Sequence, residues 1–487
     1  MIGRRTFVAL ATVALVGALA LTPATSGAQT TTQQHDTYTG TTSDGSGWIA
    51  DVPSRWNGTL LLYSHGYGTL APADSPDPTT QEALLSMGYA LAGSGYDPKG
   101  SLWALNTAVG DQFAALAAVE KTVLPHRPSQ VVAFGTSMGG LISALEDQSS
   151  DRRLDGALTT CGIVAGGLNL NNYQLDGEYA MTQLLGSLVP GGQSIQLVNF
   201  PTADASAVSA GELQNLGEVA QGTSPQTQAR LALAMAFLNT TTWSPIASAP
   251  AAANDYAGQE AAQYETDFGF AGFPIIPFIV TGRYAIEQAV GGNAGWTLGV
   301  NFARELATSP FRTEVEALYR QAGLNLRADL NELTRNANIT ASPSAVRNMI
   351  RTSVPTGRLQ VPELDLHTIG DNLVPVTMEN WYRGLVDRSG SGALLQQAYV
   401  ARPIHCYFTP SELIAGVQAV QHRIETRHWG SSATPQALEA SATNLAHENS
   451  MLGTPAFVPY EPAPLLGDNG PFDPFTGGSF PFPPRRW

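Results

Sequence analysis

Short, uninterrupted apolar runs punctuate the first third of the chain. Residues 59–63, 89–92 and 131–134 are each too short for a helix, none shows the polar alternation of a half-exposed strand, and 157–163 is strand-like too. Such runs predict strands buried on both faces. Between them, residues 83–87 fall in a helical stretch, and Val109, Phe113, Leu116, Val119 and Val123 recur at helical spacing. Residues 137–147 continue the alternation as a further helix. Upstream, Thr37-Tyr38-Thr39 and Gly47-Trp48-Ile49-Ala50 flank Ser43-Asp44-Gly45-Ser46, which predicts a hairpin. The rhythm returns late in the chain, with strand-like runs at 359–367 and 395–400 and helical patterns at 378–386 and 410–422. Strands and helices alternating in this way predict an α/β fold, a mostly parallel sheet with helices on both faces.

The middle differs. Residues 166–355 are rich in Ala, Gln, Asn and Leu, with helical patterns around 226–238, 302–321 and 327–337. We read a mainly helical insertion between two α/β halves, 29–165 and 356–453. Its apolar run Phe273-Pro274-Ile275-Ile276-Pro277-Phe278-Ile279-Val280 is expected to form the insertion's own core, the alternative being the wall of an acyl or aromatic pocket. From residue 454 the chain carries nine prolines in 34 residues, together with Phe457, Phe472, Phe475, Phe480, Phe482 and Trp487. This tail, 454–487, is expected to run extended and to pack on the body through its aromatics.

Composition narrows the functional classes. The 487 residues are 43% hydrophobic, enough for a large core, and the net charge of −15 with no basic run argues against nucleic acid as a partner. At the N-terminus, Arg4-Arg5-Thr6-Phe7 precedes an apolar run to Leu21, then Pro23 and the small-residue site Ser26-Gly27-Ala28. Residues 1–28 are therefore expected to be a signal peptide, twin-arginine or general secretory, cut after Ala28. The apolar run is short for a stable membrane span of roughly 20 residues, and no other stretch is long and apolar enough. In an exported chain, the two cysteines, Cys161 and Cys406, are expected to form one disulfide, the alternative being two buried thiols.

The candidate chemistry sits on the strand ends. Gly135-Thr136-Ser137-Met138-Gly139 fits G-x-S-x-G, directly after the run 131–134 and at the start of a helical pattern. In that context the turn forces a serine into an exposed, strained position that tolerates only small neighbours. Ser137 is the expected nucleophile. The run 59–63 ends in Ser64-His65-Gly66-Tyr67-Gly68, and the N–H groups of Tyr67 and Met138 are the expected oxyanion donors. His65 is expected to shape its loop. Gly370-Asp371 follows one late strand, and His405 follows the next. Asp371 is the expected acid, with Asp365 as runner-up, and His405 the expected base. His35, His126, His422, His428 and His447 lie in contexts unsuited to that role. Trp103 and Tyr96 are candidates for the cleft edge or for packing. No H-E-x-x-H spacing and no G-x-G-x-x-G after a strand is present, so neither metal nor organic cofactor is expected.

The set His65-Gly66-Tyr67-Gly68, Gly135-Thr136-Ser137-Met138-Gly139, Gly370-Asp371 and His405 resembles the α/β-hydrolase superfamily, especially its secreted bacterial esterase and lipase-like members. The resemblance covers about residues 36–165 and 356–430 and leaves out the insertion and the tail. It implies that the insertion caps the site. It further implies an acyl-enzyme on Ser137, with His405 as base and Asp371 orienting it, acting on a small-molecule, lipid or polymer ester. The competing readings are a secreted peptidase of the same fold, and a non-catalytic binding protein that keeps it.

Overall fold

A computed structural model describes residues 34–466, apart from 190, 192 and 271. The expected signal peptide, and the tail from residue 467 with Phe472, Phe475, Phe480, Phe482 and Trp487, lie outside the described residues.

The apolar runs become strands because both of their faces are covered. Nine described strands form one sheet: β1 (His35–Thr41), β2 (Gly47–Pro53), β3 (Thr59–Ser64), β4 (Ala90–Ser94), β5 (Gln130–Thr136), β6 (Gly156–Thr160), β7 (Glu363–Gly370), β8 (Leu395–Pro403) and β9 (Phe457–Val458). Their spatial order is β1-β2-β4-β3-β5-β6-β7-β8-β9. The block from β4 to β8 is parallel, while β1, β2 and β9 join its edges antiparallel. The fold is α/β, as the alternation of runs predicts.

Helices α1 (Pro78–Ser86), α2 (Ala108–Thr122) and α3 (Met138–Asp147) connect the early strands. Successive strand residues point to opposite faces, and the packing follows that alternation. Leu60, Leu62, Val131 and Ala133 pack with Phe113 and Leu116 of α2. Leu61, Tyr63, Val132 and Phe134 face the other way, toward Leu84 of α1.

Between β6 and β7 the described chain is helical: α4 (Gly166–Leu185), α5 (Ala203–Thr223), α6 (Pro225–Phe237), α7 (Tyr256–Tyr264), α8 (Ile275–Val290), α9 (Phe302–Thr308), α10 (Arg312–Gln321), α11 (Leu326–Asn336) and α12 (Pro343–Ser353). The pattern at 302–321 is two helices, because Pro310 lacks the N–H and the ring room that a continuous helix needs. This segment has its own apolar cluster, including Leu213, Leu233, Phe237, Ile276, Phe302 and Leu333. A fully buried ion pair braces it: Arg283 of α8 meets both carboxylate oxygens of Glu178 on α4 and donates to the Leu197 carbonyl.

The chain closes with α13 (Thr377–Ser389), α14 (Pro410–Thr426) and α15 (Pro435–Glu448). Leu364 and Leu366 of β7 pack with Ile414 and Val417 of α14. The described part of the tail lies on the body: β9 pairs with β8, Phe457 is buried, and Tyr460 meets Tyr399 edge-on.

Candidate active site

The register of the sheet decides which loops meet. Ser64 pairs with Gly135, Thr136 with Thr160, Thr160 with Leu366, and Gly370 with Pro403. The carboxyl ends of β3, β5, β7 and β8 are thus neighbours, and ligands of open parallel sheets bind at such ends.

Ser137 joins β5 to α3 with φ 61° and ψ −121°, a conformation sparsely populated for residues with a side chain. The surrounding glycines explain how the turn closes. A Cβ on Gly139 would lie 1.8 Å from the Ser64 carbonyl oxygen, and one on Gly135 would lie 2.0 Å from the Gly139 carbonyl oxygen. The Ser137 N–H donates to the Thr160 carbonyl at 3.0 Å. Its own carbonyl accepts from Gly140 and opens α3.

Ser137 Oγ lies 2.8 Å from His405 Nε2, and His405 Nδ1 lies 2.7 Å from Asp371 Oδ2. Asp371 is buried, and its Oδ1 accepts from the N–H groups of Leu373 and Val374 at 2.9 and 2.8 Å. Burial alone would raise the Asp371 carboxyl. The neighbouring His405 and His367 rings overturn that and hold it well below the usual carboxylate range.

The His405 loop is tied at several points. The His405 N–H donates to Asn372 Oδ1 at 2.8 Å, and Thr368 Oγ1 donates to the Ile404 carbonyl at 3.1 Å. Cys406 forms a disulfide with Cys161, the residue after β6, so the loop after β8 is bonded to the loop after β6. Ile404 and Cys406, on either side of the base, have φ 74° and φ 57°. A β-branched residue in that region is costly, and these ties hold it there.

Met138 is the first residue of α3, so its N–H has no intrahelical acceptor and lies at the positive end of the helix dipole. Tyr67 is partly buried at the same cavity as Ser137. His65 Nδ1 donates to the Gly66 carbonyl at 2.8 Å, and the ring stacks on Tyr96 and is pushed down by burial. Tyr96 is a buried packing residue whose hydroxyl donates to the His65 carbonyl. Asp365, the runner-up acid, does not reach His405; it lies inside the sheet and accepts from Thr159 Oγ1 at 2.6 Å.

A cavity of about 250 Å³ opens over Ser137 and His405. Its walls are Tyr67, Trp103, Ile163, Leu373 and Val374 from the loops of the sheet, with Leu170 and Gln174 of α4 and Phe273, Phe278, Ile279, Gly282 and Ile286 from and just before α8. Phe278 packs edge-on against Tyr67. The apolar run 273–280 is therefore divided, which corrects the expectation that it is simply core. Ile276 and Val280 enter the helical cluster, Ile279 belongs to both cluster and cavity, and Phe273 and Phe278 face the cavity while packing against the cluster. No Lys, Arg, Asp or Glu is among the described residues lining this cavity.

The sequence pattern singles out Asp365 as the runner-up acid but not its neighbours on the same strand, Glu363 and His367. Glu363, Asp365 and His367 alternate along β7 with Leu364 and Leu366, and all are buried. His367 Nδ1 contacts Glu379 Oε1 at 2.8 Å, and Tyr382 donates to Glu363 at 2.7 Å. Burial, then neighbouring carboxylates, pushes Glu363 and Asp365 well above the carboxylate range. The signal was present in the chain: three ionisable residues at every second position of a strand that the apolar pattern buries.

Fold and site together resemble the α/β-hydrolase arrangement: a parallel sheet with a strand–serine–helix turn, faced by a histidine and an acid from later strand ends. No family model matches the chain. It is similar to an o-phthalyl amidase of Xanthobacter agilis, 27% identical over 461 residues covering 87% of this chain and 94% of that one. Among solved structures it is similar to an esterase from Aspergillus oryzae, 14% identical over 78% of each chain with a TM-score of 0.42. It is also similar to an esterase of Pyrococcus furiosus, 10% identical over 82% of this chain and 94% of that one with a TM-score of 0.35.

Proposed function

We propose that this chain is an exported serine hydrolase that cleaves carboxylic esters with an uncharged, apolar acyl group. The observation that carries this reading is the row Ser137–His405–Asp371, closed at 2.8 and 2.7 Å, at the mouth of an apolar cavity. In the reading, Ser137 Oγ attacks the acyl carbon while its proton passes to His405 Nε2. Asp371 fixes the His405 tautomer and offsets the imidazolium charge. The N–H groups of Met138 and Tyr67 hold the oxyanion, and the protonated His405 then releases the alcohol. Water, deprotonated by His405, frees the acid by the same steps in reverse. An acyl group carrying a charge would be desolvated in this cavity without an ionic partner, which disfavours it. Export is supported by the N-terminal pattern and by the Cys161–Cys406 disulfide.

A second reading, cleavage of amides of aromatic acids, is favoured by the likeness to the o-phthalyl amidase. The two separate on matched substrates. p-Nitrophenyl benzoate is expected to turn over at least about 100-fold faster than the corresponding p-nitroanilide, and Ser137→Ala is expected to lower both by about 10⁴-fold or more. Equal rates would favour the amidase reading, and undiminished ester hydrolysis by Ser137→Ala would remove the serine mechanism. A preference for aminoacyl p-nitroanilides with a free amine would point to a peptidase.

A further inference from the structure

The polar row on β7 ends in a side chain that the Ser137 mechanism leaves unused. His367 is fully buried. Its Nε2 lies 2.9 Å from the Val374 carbonyl oxygen and 3.5 Å from Asp371 Oδ2, and its Nδ1 lies 2.8 Å from Glu379 Oε1. A carbonyl oxygen only accepts, so Nε2 carries a proton. Glu379 Oε2 accepts from Gln397 Nε2 at 2.5 Å, so both Glu379 oxygens face nitrogen donors when Nδ1 is protonated too. The ring therefore stands between two carboxylates and a carbonyl, with no hydrogen-bond donor among its described partners.

The other titratable groups around this cluster come from five elements: Glu363 and Asp365 on β7, Tyr382 and Arg383 on α13, Tyr399 on β8, Asp147 on α3 and Tyr173 on α4. Burial raises Glu363 and Asp365 well above the usual carboxylate range. Burial alone would lower His367; the neighbouring carboxylates of Asp371 and Glu379 raise it to about 10.

We propose that His367 is a positioning residue for the Ser137–His405–Asp371 site, a buried imidazolium that pins Asp371 from behind with Glu379 as its counter-ion. Two rings then share one oxygen: His405 Nδ1 and His367 Nε2 both face Asp371 Oδ2. The fixed charge of His367 draws on the carboxylate that supports His405. Removing that charge leaves Asp371 Oδ2 to His405 alone, and this is the difference the variants read.

This rests on the serine-hydrolase reading, and the test keeps the two apart. The acid limb of kcat/KM reports the base in the free enzyme. In His367→Gln the fixed cation is gone, and the limb is expected to move up by about one pH unit. In Glu379→Gln the cation loses its counter-charge, and the limb is expected to move down. General loosening of the site lowers rates at every pH and does not shift the limb in opposite directions. Nitrogen NMR of ¹⁵N-histidine-labelled Ser137→Ala protein is expected to show both His367 ring nitrogens protonated at pH 7, and it decides the matter if either variant fails to fold. A limb unmoved in both variants, or a neutral His367 in the spectrum, overturns the proposal. Full turnover by Ser137→Ala would instead overturn the reading on which it rests.

Discussion

The carboxyl edge of the sheet and the helices between β6 and β7 meet at one cavity, and they are built on opposite principles. The sheet edge contributes the polar groups, held by short hydrogen bonds, in Ser137, His405, Asp371 and the row behind them on β7, and its loops add part of the apolar wall. The helical segment contributes mainly apolar side chains from α8 and the stretch before it, with Gln174 of α4 as its amide. Polar groups at the sheet edge need fixed geometry, because each depends on its neighbour's orientation. An apolar wall needs only shape and volume. On the proposed hydrolase reading, chemistry belongs to the sheet edge, and substrate range belongs mainly to the helical segment.

Two substitutions test that division. The larger effect is expected from Asp371→Asn. Its side chain keeps the shape but offers His405 the wrong hydrogen-bonding pattern, and kcat should fall by about 10⁴-fold for every ester, long or short. Unequal losses across acyl lengths would mean that the sheet edge also selects substrates. The smaller effect is expected from Gly282→Leu. A Cβ at Gly282 meets no atom within 4 Å, so the new side chain enters open space beside the cavity. kcat/KM for bulky aryl or long acyl esters should fall about 10- to 100-fold, with acetate esters nearly unchanged. Leucine also favours a helix over glycine, so the fold should hold. A uniform loss, acetate included, would break the separation.

The sheet half was legible because burial on both faces writes itself as continuous apolar runs, and the glycines around Ser137 mark the one tight turn. The runs at 59–63 and 131–134 fall within strands β3 and β5. The positions of Asp371 and His405 after successive strands followed from chain order alone. The helical segment was less legible. Its helices pack on one another as well as on the sheet, so a single run such as 273–280 serves two surfaces, and periodicity does not say which residue faces which. Helices α4, α5 and α8 gave no clear stripe because α4 and α8 bury most of their circumference and α5 is rich in small residues. His367 was passed over for a related reason. Its neighbours Leu364 and Leu366 made β7 look apolar, and Glu379, the partner that gives His367 its meaning, arrives from another element, α13.

Whether Ser137 is a nucleophile activated by His405 is decided by reacting the protein with a fluorophosphonate and locating the adduct by peptide mass spectrometry. One phosphonyl group per chain is expected, on Ser137, with labelling lost in Ser137→Ala and strongly slowed in His405→Ala. An unlabelled Ser137 in folded protein, or stoichiometric labelling at another residue with Ser137 untouched, would contradict it.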